Sequence, residues 1–156
     1  MKCFVRCYTG QGSGSNLIQA WERSDISHVS LVFHMHGSAQ EIESIQKKGV
    51  IQHAPHKACH KQFIEYAVPL TDEQIIDAHI LAMSFIGAKY DYTGVVSFLL
   101  HRTKHSKDKW FCSEFVAYIL LKVGYALSRR IPWLESPESI SSSYRLIAPA
   151  DEIGSA

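Results

Sequence analysis

Residues 111–124 read FCSEFVAYILLKVG, and this stretch has the pattern of one amphipathic helix that begins at a cysteine. Its apolar residues recur with the spacing of a single helix face, which Cys112 shares: Phe115, Val116, Ile119, Leu120 and Val123. Gly124 follows the last of them, at the position where glycine commonly ends a helix. The stretch therefore predicts a core helix with Cys112 in its first turn, aimed inward.

A thiol in that position lies at the positive end of the helix dipole. This environment favours the thiolate, which is the form of cysteine that attacks carbonyl carbon. A small buried cysteine that only helps to pack the helix is the alternative interpretation of Cys112. A suitable base elsewhere in the chain is needed to distinguish a nucleophile from a packing residue.

Length and composition limit the class of protein. The chain has 156 residues, which predicts one domain, residues 1–156, large enough to bury a core without disulfides. Its formal net charge of +1 gives no electrostatic reason to expect nucleic acid or an anionic membrane as a partner. No apolar run approaches the ~20 residues of a membrane-spanning helix, and the N-terminal residues lack the pattern of a signal peptide. A cytoplasmic protein with reduced cysteines is expected, unless it is a bacteriophage product or is delivered by another route.

Strand patterns come first along the chain and helical patterns come later. Strands are expected at residues 2–8, 27–33, 40–45, 49–53 and 63–68, with a turn at 10–15 and a brief helix at 16–23. Thr71 and Gln74 form a capping box that begins a helix ending near Phe85. After it, residues 90–94 are expected as a loop, 95–100 as a short helix, and the tail as irregular with one helical turn. This order predicts an α+β fold, with an antiparallel β-sheet packed against helices.

Cysteine catalysis needs an imidazole within hydrogen-bond reach of the sulfur, to take its proton and return it to the leaving group. The chain offers nine histidines. His28 is the preferred candidate because it opens a predicted core strand, where the backbone would hold the ring rigidly. Alternation places His28 on the strand face opposite Val29, Leu31 and Phe33. An exposed strand histidine is the alternative interpretation.

A third group should orient the imidazole, and Glu43 on the following strand is the preferred candidate. If the hairpin turn spans His34 to Gly37, Glu43 lies directly across from His28. If the turn is Gly37-Ser38, Lys47 takes that place and Glu43 lies two pairs away. Because the sequence does not fix the register, Glu41 and Gln52 remain alternatives for this role.

Three segments of the chain share a family resemblance. They are residues 27–32 (SHVSLV), 87–94 (GAKYDYTG) and 110–116 (WFCSEFV). Together they resemble the circularly permuted branch of the NlpC-type, papain-like cysteine hydrolases, the YiiX-like proteins. In the unpermuted family the cysteine precedes the histidine, whereas here His28 precedes Cys112, as in the permuted branch.

The resemblance implies a permuted papain-like fold and a cysteine peptidase or amidase activity that uses no cofactor. It implies Cys112 as the nucleophile, His28 as the base and Glu43 as the acidic residue that follows it. Tyr90 matches the family tyrosine that lies beside the oxyanion site. The implied substrate is a peptide (for example, a peptidoglycan fragment), another amide or a lipid ester. The implied reaction passes through an acyl-enzyme.

Two other functions compete with this one. Residues 53–60 (HAPHKACH) bring three histidines and a cysteine together, and zinc favours such ligands, although the paired spacing of a zinc finger is absent. A binding module that retains the cleft without catalysis is the second alternative. The joint presence of Cys112, His28 and Tyr90 argues against it.

Overall fold

The computed structural model describes residues 1–9, 25–55, 62–91 and 108–148. Within these residues the chain forms a five-stranded sheet, a two-stranded sheet and a set of helices. The strands of the large sheet are β1 (Lys2–Thr9), β2 (Ile26–Met35), β3 (Ser38–Ile45), β4 (Gly49–His53) and β5 (Gln62–Val68). The helices are α1 (Asp72–Ser84), α2 (Cys112–Lys122) and the short α3 (Pro137–Ser141). The remaining elements are β6 (Lys89–Tyr90), β7 (Lys109–Trp110) and a 3-10 turn at Pro132–Leu134.

The large sheet has the strand order β4-β3-β2-β1-β5, and every neighbouring pair is antiparallel. The five strands expected from the sequence are all present, with ends that differ by two residues or fewer. The predicted α+β class, an antiparallel sheet packed against helices, is confirmed. Because β2 has a neighbour on each side, a side chain on it lies in the interior of the sheet.

The hairpin between β2 and β3 has a register that neither sequence expectation gave. Met35 pairs with Ser38, so the turn consists of His36 and Gly37, which both have positive φ angles of 48° and 79°. Two residues with positive φ make the tight turn whose twist matches antiparallel strands. The two alternatives considered from sequence, a turn over residues 34–37 and one at 37–38, are therefore both wrong. Glu43 lies diagonally from His28 rather than directly across from it.

The two faces of the sheet differ in chemistry. One face packs against α2 and forms the core, in which these side chains are buried: Val5, Val29, Leu31, Phe33, Ile42, Phe115, Val116, Ile119 and Leu120. The other face carries Arg6, Ser30, Glu41 and Glu43, which are polar and also buried. Buried polar groups are stable only when they are hydrogen-bonded, so the second face is organised as a network of paired side chains.

Helices α1 and α2 begin and end as their sequences predict. The Gln74 amide donates to Thr71 Oγ1 at 3.2 Å, and the Thr71 amide donates to Gln74 Oε1 at 3.0 Å, which completes the capping box. Gln74 Nε2 also donates to the Val123 carbonyl at 2.8 Å, so the start of α1 is attached to the end of α2. Gly124 then adopts a φ angle of 83° and ends α2.

The segment that was expected as a loop from Tyr90 begins as a strand. Tyr90 pairs with Trp110 in the parallel β6–β7 sheet, and the Asp91 amide donates to the Trp110 carbonyl at 3.1 Å. The expectation is wrong here because the partner strand lies some twenty residues later and gives no local signal. The tail contains a 3-10 turn and the short α3, whereas one helical turn was expected.

Several sequence expectations concern residues outside the described ranges. These are the turn at 10–15, the helix at 16–23, the rest of the 90–94 loop beyond Asp91, the helix at 95–100 and most of the 53–60 cluster. In the part of the chain that the structure describes, no helix is both long enough and apolar enough to cross a membrane.

Candidate active site

Cys112 is the first residue of α2, and the contacts around it fix its position. Ser44 Oγ on β3 donates to the Trp110 carbonyl at 2.7 Å, and Ser113 Oγ donates to the Glu135 carbonyl at 2.5 Å. The Glu114 carboxylate accepts a hydrogen bond from the Phe111 amide at 3.3 Å, within the first turn. The helix start is thus attached to the sheet on one side and to the tail on the other. The Cys112 thiol is buried at this junction.

His28 lies near the beginning of β2, where it pairs with Tyr8 of β1. The two rings are 5.6 Å apart between centroids, so Tyr8 packs beside the imidazole. His28 Nε2 is 2.5 Å from Glu43 Oε2. This contact makes Glu43 the acidic partner of His28, despite the diagonal register of the hairpin.

The Cys112 thiol is the second partner of His28. Burial of the ring opposes its protonation, but the charge and hydrogen bond of Cys112, together with those of Glu43, raise the pKa of His28 from 6.5 to about 10. The Cys112 sulfur and the Glu43 carboxylate therefore both favour the charged form of the His28 ring. The structure brings together three of the four residues that the sequence suggested: Cys112, His28 and Glu43.

Glu43 has a partner on each of its two oxygens. Its Oε1 atom is 2.7 Å from Nε2 of His53, the last residue of β4. Burial opposes ionisation of this carboxyl group, but the hydrogen bonds and charges of His28 and His53 lower its pKa from 4.5 to about 2. The group is therefore a carboxylate at neutral pH.

His53 also belongs to this cluster, through its contact with Glu43, although the sequence interpretation did not suggest this position for it. Sequence reasoning placed it in the possible zinc cluster at 53–60, whereas here it contacts Glu43 and, through Nδ1, the Ala54 carbonyl at 2.8 Å. Burial lowers the pKa of His53, but the Ala54 carbonyl and the Glu43 carboxylate outweigh it and raise the value. Strand alternation was the available signal, since His53 pairs with Glu41 and so shares a face with Glu43.

Tyr90 lies next to the helix start. Its buried ring packs edge-to-face on Phe111, with 6.0 Å between centroids, and Phe111 directly precedes Cys112. Its role beside an oxyanion stays a prediction from the resemblance.

Glu41 lies close to this cluster but has a separate set of partners. Its carboxylate accepts hydrogen bonds from Arg6 Nη1 at 2.9 Å, from Ser30 Oγ at 2.6 Å and from the Tyr8 hydroxyl. Arg6 is also paired with Glu65 at 2.6 Å. This network was not anticipated from the sequence, because β1 and β3 are brought together only through β2.

Ligand-type atoms of Glu41, Glu43 and His53 lie within 4.8 Å of one another, which is close enough for a shared metal ion to be considered. The Glu41 charge is already neutralised by Arg6, and both Glu43 oxygens contact histidines. Ligands about 2.0–2.2 Å from a tetrahedral zinc would be about 3.3 Å apart. The Glu43–His53 contact is 2.7 Å, which is the length of a hydrogen bond. These three side chains are therefore arranged as a hydrogen-bonded network and do not fit a metal centre.

Comparison with known proteins establishes the fold of this chain but does not establish its family. No family model matches the chain, and no curated protein matches it. Among solved structures it is similar to the metalloprotein yiiX from Escherichia coli O157:H7, with a TM-score of 0.74, 18% identity and 96% of each chain covered. At this identity the likeness establishes a YiiX-like α+β fold.

Proposed function

We propose that this protein is a cysteine hydrolase with a circularly permuted papain-like domain, which cleaves an amide or ester bond through an acyl-enzyme on Cys112. The observation that carries the proposal is the grouping of His28 with Cys112 and Glu43, which both favour the charged form of its ring. A nucleophile, a base and a group that orients the base are the parts that such a reaction requires.

The first half of the reaction forms the acyl-enzyme. The Cys112 thiolate attacks the substrate carbonyl carbon, and the carbonyl electron pair moves to the oxygen. The His28 imidazolium then donates its proton to the leaving nitrogen or oxygen as the bond to carbon breaks. A thioester on Cys112 and a neutral His28 remain.

The second half consumes one water molecule. Neutral His28 takes a proton from the water, the resulting hydroxide attacks the thioester carbon, and the Cys112 thiolate leaves. The products are a carboxylic acid and the amine or alcohol released earlier, and the thiolate–imidazolium pair is restored. Glu43 stays ionised throughout and stabilises the His28 charge, as the third member of such triads does.

The position of Cys112 also suggests how the developing oxyanion would be stabilised. The first amides of a helix have no intrahelical acceptor, so the amide of Cys112 is available to donate to the oxyanion. The helix dipole favours negative charge at the same place. Tyr90, which packs on Phe111, would contribute the second donor that the family resemblance implies.

We expect Cys112→Ala to abolish covalent labelling by acyl-directed electrophiles while leaving the fold intact. Wild-type protein and the variant would be treated with a peptidyl acyloxymethyl ketone and with a long-chain β-lactone, and the labelled residue identified by mass spectrometry. The relative rates of the two probes separate amide-like from lipid-ester specificity. A small buried side chain is removed, so the midpoint of thermal unfolding should shift by only a few degrees.

Cys7→Ala is the matched control, because Cys7 is a buried thiol that should be unreactive. Burial, together with the charges of Glu138 and Cys112, raises the pKa of the Cys7 thiol to about 12. It should leave the labelling of Cys112 nearly unchanged. Labelling of wild-type Cys112 no faster than that of Cys3 or Cys7 would reject the hydrolase and favour a silent binding module.

Metal binding is the competing function, because the similar E. coli protein is described as a metalloprotein. Metal analysis of protein purified without a histidine tag tests it directly. Stoichiometric zinc that is lost in His56→Ala and Cys59→Ala variants would favour a metal site over the hydrolase.

A further inference from the structure

The Glu43 carboxylate joins histidines from two different strands. His28 on β2 contacts Oε2 at 2.5 Å, and His53 on β4 contacts Oε1 at 2.7 Å. A triad requires only the first of these contacts. The contact with His53 occupies the remaining oxygen of Glu43, the residue that orients the His28 ring.

Both ring nitrogens of His53 face oxygen acceptors. Nε2 faces the Glu43 carboxylate, and Nδ1 faces the Ala54 carbonyl at 2.8 Å. A neutral imidazole carries one N–H, so one of the two contacts would then set a nitrogen lone pair against an oxygen lone pair. Two N–H groups satisfy both contacts at once, which means that this geometry suits the imidazolium.

The charged groups around His53 support the same conclusion. On β3, which pairs with β4, the carboxylates of Glu43 and Glu41 both act to favour the charged ring. At the opposite end of β4, the backbone of Lys89 lies beside Gly49, and Lys109 pairs with Lys89. The Glu43 carboxylate is in direct contact with His53, and the Glu41 carboxylate is also paired with Arg6.

We propose that His53 is a positioning residue of the hydrolase, a second imidazolium that fixes the Glu43 carboxylate in the orientation that supports His28. This inference rests on the proposed function of Cys112. His53 does not touch the sulfur or the reacting carbonyl. It acts on catalysis through Glu43, by keeping that group ionised and by preventing its rotation away from His28.

Two variants separate the charge of His53 from its hydrogen bond. His53→Gln keeps an N–H donor for Glu43 but removes the positive charge, and His53→Ala removes both. The reaction measured is alkylation of Cys112 by iodoacetamide between pH 4 and pH 9, followed by mass spectrometry. His79→Gln is the matched control, since His79 contacts Gln40 at 2.7 Å outside the cluster.

Loss of a neighbouring cation raises the pKa of a carboxyl group, so Glu43 should become protonated at a higher pH in both variants. We expect the acid limb of the alkylation profile, where the rate of Cys112 alkylation falls at low pH, to move to higher pH in both variants. The plateau rate should stay near the wild-type value in His53→Gln and fall by between about tenfold and a hundredfold in His53→Ala, where Glu43 is no longer oriented. A purely structural role would lower the plateau without moving the limb.

Nitrogen-15 NMR of histidine-labelled wild-type protein tests the proposal without any variant. At pH 6 we expect the two ring nitrogens of His53 both to show the chemical shifts of protonated nitrogen. A single protonated nitrogen at that pH, or an acid limb that is unchanged in both variants, would overturn the role of His53. Neither result bears on the hydrolase itself, which fails instead if wild-type Cys112 reacts no faster than the buried thiols of Cys3 and Cys7.

Discussion

The Glu43 side chain shows how much of the site depends on a single functional group. Both its oxygens contact imidazole nitrogens, and the positive charges of His28 and His53 lower its pKa to about 2 against the effect of burial. Its charge in turn contributes to the raised pKa of His28. The ionisation of each of these groups therefore depends on that of its neighbour.

We expect Glu43→Gln to lower the pKa of His28 and to slow alkylation of Cys112 at pH 7 by at least about tenfold. The amide has nearly the same shape as the carboxylate, but it is neutral, and one of its ends must present an N–H to a histidine that is itself a donor. NMR titration of His28 and iodoacetamide labelling measure the two effects. Glu65→Gln is a suitable control, because Glu65 pairs with Arg6 away from the sulfur. An unchanged His28 titration would contradict the pairing.

At the scale of single residues, sequence reasoning suggested Cys112, His28 and Glu43, and the structure brings these three side chains together. It did not place His53 beside Glu43, because that contact depends on the β3–β4 pairing. It also could not choose between Glu41 and Glu43 on chemical grounds, since both lie on one face of β3. The choice is made by Arg6 of β1, which neutralises Glu41.

At the scale of elements, Gly49 at the start of β4 joins the large sheet to the segment that leads to Tyr90. Its φ angle is 77°, and a Cβ atom built on it would lie 2.0 Å from the Ala88 carbonyl oxygen. That oxygen accepts a hydrogen bond from the Val50 amide at 2.9 Å, and Gly87 donates to the Val50 carbonyl at the same distance. A side chain at position 49 would therefore force the 87–90 segment away from the sheet.

We expect Gly49→Ala to lower the free energy of unfolding by about 3 kcal/mol or more, since backbone strain and a displaced contact add together. Gly37→Ala is the matched control. Gly37 has a φ angle of 79°, but no atom lies within 4 Å of its built Cβ, so only the strain of about 1 kcal/mol applies. Urea denaturation of the two variants measures the difference. Equal losses would show that the Ala88 contact contributes little.

The elements themselves were largely predictable, because capping boxes, alternation and helix-ending glycines are local signals. The pairing of the elements was less so. His36 occupies a left-handed position with a φ angle of 48°, which is uncommon for a residue other than glycine. Gly37 indicated a turn in this region, but no local signal fixed His36 and Gly37 as its two central residues. The parallel pairing of Tyr90 with Trp110 is likewise a tertiary contact between distant segments.

On the scale of the whole molecule, the sheet separates an apolar core from a buried polar face, and the ionisation of the polar face links stability to pH. The pKa of His28 is higher in the folded protein than its usual 6.5, so its contribution to stability is fully present below pH 6.5 and is lost as pH rises toward 10. The pKa of Glu43 is lower than its usual 4.5, so its contribution is present above pH 4.5 and is lost as pH falls toward 2. Both contributions are complete together only between about pH 4.5 and pH 6.5.

We therefore expect opposite pH dependences for two variants in urea denaturation from pH 3 to pH 10. The loss of unfolding free energy caused by His28→Gln should be largest below pH 6.5 and should shrink toward pH 10, where folded wild-type His28 also loses its charge. The loss caused by Glu43→Gln should be largest above pH 4.5 and should shrink as the pH falls to 3, where the folded carboxylate begins to be protonated. The unfolding free energy of the wild type is subtracted from that of the variant at each pH. This difference cancels the titration of the groups that the substitution does not affect. Losses that stay constant across the whole range would mean that the two side chains stabilise the fold by packing, and that the charge coupling between the sulfur, the imidazole and the carboxylate does not exist in solution.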